Sequence, residues 1–93
     1  MVLAYILITT IGKKGPEIAA ELTTIPEVDN IHTLYGEYDI LARVKTSNMD
    51  KLREIMFNKI SKIANINKTT TLIVADQTKE SDNIVKRIGK RLF

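Results

Sequence analysis

The sequence predicts an α+β sandwich, and two observations carry that prediction. The first is an internal repeat at a gap-free offset of about 38 residues, a period that marks a supersecondary unit used twice. Leu3-Ala4-Tyr5-Ile6 lines up with Leu41-Ala42-Arg43-Val44, and Ile18 and Leu22 with Met56 and Ile60. Ile25-x-x-Val28 lines up with Ile63-x-x-Ile66, and Thr33-Leu34 with Thr71-Leu72. The second is that each copy reads strand, helix, strand by its apolar spacing. Two β-α-β units joined at Gly36-Glu37-Tyr38-Asp39 describe a split β-α-β, a ferredoxin-like βαββαβ sandwich of the dimeric α/β-barrel type, with an extra C-terminal helix.

Val2 to Thr10 alternates, with Leu3, Tyr5 and Leu7 on one face and Ala4, Ile6 and Ile8 on the other. Both faces are apolar, which predicts a central strand covered on both sides. Gly12-Lys13-Lys14-Gly15 ends it, and Pro16 and Glu17 suit the first turn of a helix, where a missing N–H and a negative charge are favoured. Ile18, Leu22 and Ile25 mark the inner face of that helix, and Pro26 closes it. Val28 to Tyr35 and Tyr38 to Thr46 read as the second and third strands of a hairpin around Gly36-Glu37. Ser47 and Asn48 offer capping oxygens to a second helix carrying Leu52, Ile55, Met56, Ile60 and Ile63. Ile66 to Ala75, rich in β-branched residues, is the fourth strand. Thr78 to Phe93 reads as a third helix, with Ile84, Val85, Ile88 and Leu92 as a narrow apolar stripe.

Ninety-three residues allow one domain, read as a core over residues 1–75 and a helical extension over 76–93. A chain this short buries only roughly 60–65% of its unfolded surface, so association is a natural way to gain buried area. The net charge of +3 is uneven. Nine Lys/Arg face eight Asp/Glu through Ala75, and five face three from Asp76 onward, so the basicity belongs to the tail. The absence of cysteine excludes thiolate catalysis, Cys-ligated zinc and iron–sulfur chemistry. The apolar start is too short for a membrane span and lacks a basic leader, which makes cytoplasmic residence the default and a membrane partner unexpected.

Candidate chemistry concentrates in Tyr35-Gly36-Glu37-Tyr38-Asp39. Gly36 permits a positive φ and leaves amide N–H groups open to an anion, while Asp39 can accept from an ammonium group. Together these are the minimum grip for an α-amino acid. A plain turn explains the same residues, because Gly and Asp dominate turns. Glu37 and Asp39 are the one candidate carboxylate pair for acid–base work, at exposed turn positions. Thr69-Thr70-Thr71 supplies hydroxyls that strand propensity alone accounts for. His32 stands alone without metal-ligand spacing and reads as a solvent-face or interface residue. No cofactor is implied. Gly12-Lys13-Lys14-Gly15 is similar to the backbone clamp of KH nucleic-acid domains, but the strand–helix order fits that fold poorly. Lys86-Arg87-Ile88-Gly89-Lys90-Arg91 can grip phosphate, or can be a solvated helix face with well-placed cations.

Leu3-Ala4-Tyr5-Ile6-Leu7-Ile8, Ile25-Pro26-Glu27-Val28, Tyr35-Gly36-Glu37-Tyr38-Asp39-Ile40-Leu41 and the Ile66-x-x-Thr69-x-Thr71 strand together resemble the effector-binding (RAM) domain of the Lrp/AsnC transcription regulators over residues 2 to about 75. The resemblance implies a non-enzymatic sensing domain that dimerises through its sheets and assembles further. It also implies a small effector, usually an amino acid, bound between subunits. Carried onto matching positions, Tyr35, Gly36, Glu37, Tyr38 and Asp39 would line the site, with Thr69 and Thr71 nearby. Family regulators carry an N-terminal helix-turn-helix module, and this chain begins at its first strand. The expectation is therefore a stand-alone effector domain that modulates a DNA-binding regulator of the same type, without sequence-specific DNA binding of its own. The competing reading is a small monooxygenase or isomerase of the dimeric ferredoxin-like barrel type, disfavoured by the poverty of His, Cys, Trp and paired carboxylates. A nucleic-acid binder working through the basic tail is the third.

Overall fold

The computed structural model describes residues 1–75. The elements run β1 (Val2–Thr10), α1 (Gly15–Leu22), β2 (Val28–Thr33), β3 (Ile40–Thr46), α2 (Met49–Asn58), a single 3-10 turn (Ile60–Lys62) and β4 (Ile66–Ile73). The sheet order is β2-β3-β1-β4 with every neighbouring pair antiparallel, the arrangement that two split β-α-β units require. The helical extension expected after Ala75 lies outside the described residues. None of the helices described is long and apolar enough to cross a membrane.

One face of the sheet is the core. Ala4, Ile6 and Ile8 of β1 and Ile40, Ala42 and Val44 of β3 are fully buried beneath Ile18 and Leu22 of α1 and Leu52 and Ile55 of α2. Among the described residues, the other face carries no layer. Antiparallel partners point to the same side of a sheet. One open-face row therefore reads Asn30, Arg43, Tyr5, Leu72 and the next His32, Leu41, Leu7, Thr70. Leu3, Tyr5, Leu7 and Leu41 are half-buried, and Leu72 is 52% exposed. Among the described residues β1 is covered on one side, and a layer over its second side would have to come from outside residues 1–75. An apolar strand face does not say whether a helix or another molecule covers it.

Several element ends differ from expectation for local reasons. The first helix stops at Leu22, and Ile25 enters the core from the turn that follows, where Ile25 N–H donates to the Leu22 carbonyl at 3.1 Å. The second helix stops at Asn58. The 3-10 turn then drives Ile60 and Ile63, three apart and eclipsed in that geometry, into the core. Asn48, not Ser47, caps α2, accepting from Lys51 N–H at 2.8 Å. Asn48→Ala should lower stability by about 1 kcal/mol, read as a reduced urea midpoint with an unchanged slope.

Candidate cleft at the hairpin end of the sheet

The β1–α1 loop and the β2–β3 connection leave the sheet at the same end, because β1 and β2 run in the same direction. Between them lies an open cleft of about 470 Å³, lined by Thr10, Gly12 and Lys13 on one side and Leu34, Tyr35 and Asp39 on the other. That volume falls within the range of small-molecule sites, ~300–1,000 Å³.

Glycine shapes the loop on each side; Gly12 lines the cleft, whereas Gly36, Glu37 and Tyr38 stand beside it without lining it. Gly36 has φ +125° and Gly12 φ +68°, values that side-chain-bearing residues rarely adopt. A Cβ on Gly36 would meet nothing within 4 Å, so backbone geometry rather than crowding selects glycine there. Asp39 is tied down at three of its groups. Its N–H donates to the Ile8 carbonyl (2.9 Å), and its carbonyl accepts from Leu34 N–H (2.8 Å). Its Oδ2 accepts from both the N–H (2.7 Å) and the hydroxyl (3.2 Å) of Thr10. These bonds draw residues 34–39 out of the regular ladder, which is why β2 ends at Thr33 and β3 begins only at Ile40 rather than at Tyr35 and Tyr38.

The residues singled out from sequence divide into two places. Tyr35 is fully exposed at the lip of the cleft, Gly36 and Glu37 are exposed at the turn, and Tyr38 and Asp39 are half-buried. Thr69 and Thr71 lie on β4, with β3 and β1 intervening between them and β2. Thr69 pairs with Ile8 at the cleft end of the sheet, while Thr71 contacts Met56 Sδ on α2 at 3.9 Å. Within one chain the structure does not bring the threonines to the hairpin. Thr10, Gly12, Lys13 and Leu34 line the cleft although they were not picked out as site residues. The signal that could have found them is topological, since a split β-α-β unit puts its first β–α loop beside its central hairpin.

His32 is exposed on the open sheet face beside Leu41. Arg43, on the same face, donates to Asp29 through Nε (2.7 Å) and through a terminal guanidinium nitrogen (3.2 Å). A register shift between Val28 and Asn30 accompanies this pairing. The guanidinium holds the Asp29 carboxyl below its ordinary value, and Asp29 in turn raises Arg43.

The family description that matches is the Lrp/AsnC ligand binding domain, over residues 3–84. This chain belongs to that family. The match runs past Ala75 into the segment read as a C-terminal extension. Among solved structures, AsnC of Escherichia coli is 32% identical with a TM-score of 0.79, covering 83% of this chain and 52% of that one. The protein FFRP-DM1 is 36% identical with a TM-score of 0.76, covering 80% of this chain and 99% of that one. The transcriptional regulator FL11 of Pyrococcus furiosus is 29% identical over 83 residues, 89% of this chain and 54% of the relative. A regulator of Neisseria meningitidis solved in complex with L-Met shares the fold at 21% identity and a TM-score of 0.76, covering 85% of this chain and 53% of that one. The chain spans about half the length of the curated relatives it matches, which are named as HTH-type transcriptional regulators.

Proposed function

We propose that this Lrp/AsnC domain is a non-enzymatic sensor that binds an amino acid in the cleft beside Gly36 and Asp39, with a second subunit closing over it. We further propose that it modulates a DNA-binding regulator of the same family. The observation that carries the reading is the cleft itself: a carboxylate, a lysine and glycine-shaped backbone converge on a volume suited to a small zwitterion. The Neisseria structure supports the ligand class, because that protein, of the same fold, holds L-Met. The openness of the cleft and the full exposure of Tyr35 support closure by another chain. Thr69 and Thr71, remote from the hairpin in one chain, enter the site on this reading from a neighbouring subunit. A ligand touching two subunits stabilises the assembly that juxtaposes them, which links sensing to oligomeric state.

The test is calorimetric titration with the proteinogenic L-amino acids, one at a time, against wild type and Asp39→Asn. Asparagine keeps an oxygen for Thr10 and removes the charge. The expected result is saturable binding of at least one amino acid, weakened about tenfold or more by the substitution, the scale of a hydrogen bond to a charged group. Binding that survives Asp39→Asn unchanged would remove Asp39 from the site.

A further inference from the structure

Asp39 uses one carboxylate oxygen and leaves the other. Oδ2 receives both Thr10 donors, while Oδ1 accepts no hydrogen bond among the described residues. A carboxylate that keeps all its acceptor capacity can rotate and spend it on water. One whose Oδ2 is held from two directions cannot turn without breaking two bonds. We propose that Thr10 is the positioning residue of the effector site: by fixing Oδ2 it presents Oδ1 of Asp39 to the cleft as the acceptor for an ammonium group. This rests on the reading above and deepens it, since it assigns the selection of amines over plain acids to the pair.

Thr10 is placed for this by the end of the β1–β3 ladder, which stops at Ile8 and Ile40, with a second irregularity on the opposite edge of β1. The β1–β4 register shifts between Thr9 and Thr10, so that Thr9 pairs with Lys68 but Thr10 with Ile66. On the β3 edge, just past the last ladder pair, the Thr10 N–H donates to the Asp39 carboxylate, and the hydroxyl adds a second donor from the same residue. Next to it, Ile11 N–H donates to the Asn65 carbonyl (2.8 Å), which anchors the strand end from the other side. The backbone thus brings Thr10 to the carboxylate, and the hydroxyl is the part that sequence can vary without altering the fold.

The experiment compares Thr10→Val, which removes only the hydroxyl and keeps β-branching, with Thr10→Ser, which restores a hydroxyl, each also in the Asp39→Asn background. The probes are whichever L-amino acid binds wild type and its des-amino carboxylic acid analogue, titrated by calorimetry, with thermal midpoints recorded alongside. The expected result is a loss of about fivefold for the amino acid in Thr10→Val, the size of one hydrogen bond. Thr10→Ser should bind like wild type, the analogue should bind Thr10→Val as it binds wild type, and Thr10→Val should lose nothing further once Asp39 is Asn. A merely structural role would weaken both probes alike and would follow the thermal midpoint. Amino-acid affinity unchanged in Thr10→Val, an equal loss for both probes, or an undiminished loss in the Asp39→Asn background would overturn the role of Thr10 while leaving the sensor reading intact. Failure of every amino acid to bind wild type would overturn both.

Discussion

Replacing Ile6 with alanine should lower the free energy of unfolding by about 3 kcal/mol, within the ~2–5 kcal/mol range for truncating a buried isoleucine. Ile6 is 0% exposed on the central strand, between Ala42 of β3 and Thr71 of β4 and beneath both helices. Little around it can collapse into the void. Its flanking strand positions Ala4 and Ile8 are themselves fully buried, and rigid close-packed surroundings raise the cost of a cavity. Denaturant unfolding at fixed protein concentration checks this, with a midpoint shift and an unchanged slope expected. A loss below about 1 kcal/mol would mean that β1 is not the centre of the core.

The next residue along should behave in the opposite way. Leu7 points to the open face, beside Leu41 of β3 and Thr70 of β4, and no layer among the described residues covers it. If a second copy covers this face, Leu7→Asp buries an unpaired charge in the contact. Dissociation should then rise by about two orders of magnitude, the equivalent of ~3 kcal/mol. Sedimentation should show the variant as a folded single chain at concentrations where wild type is associated. Leu7 is already half-exposed, so the fold itself should lose far less than in Ile6→Ala. A variant that sediments like wild type would mean that the sheet face is not the contact.

Adjacent residues with opposite consequences show what could and could not be read from the chain. The repeat located the strands well: adding the 38-residue offset to β2 lands inside β4, and adding it to β1 overlays β3. It placed the helices less well. α2 starts earlier than its counterpart because Asn48 caps it, and it ends early because Ile60 and Ile63 reach the core through a tighter turn. Alternation in β1 separated Leu3, Tyr5 and Leu7 from Ala4, Ile6 and Ile8 correctly, but it could not say what covers the first set. The glycine hairpin was legible because Gly36 must supply a positive φ. The partner of Asp39 was not, since Thr10 is distant in sequence and its hydroxyl fits an ordinary strand residue equally well.

Among the described elements, β1 is clamped between β3 and β4. Ala4 pairs with both Val44 and Ile73, and Val74 N–H donates to the Leu3 carbonyl at 2.9 Å. The seam between the two strands most distant in sequence among the described residues, β1 and β4, therefore involves the second strand in from the edge and not two rim strands. Such pairing of distant residues slows folding, because loop closure must precede any reward. A nascent chain that already carries β1, α1, β2, β3 and α2 would still hold one side of its central strand unpaired until β4 has cleared the ribosome.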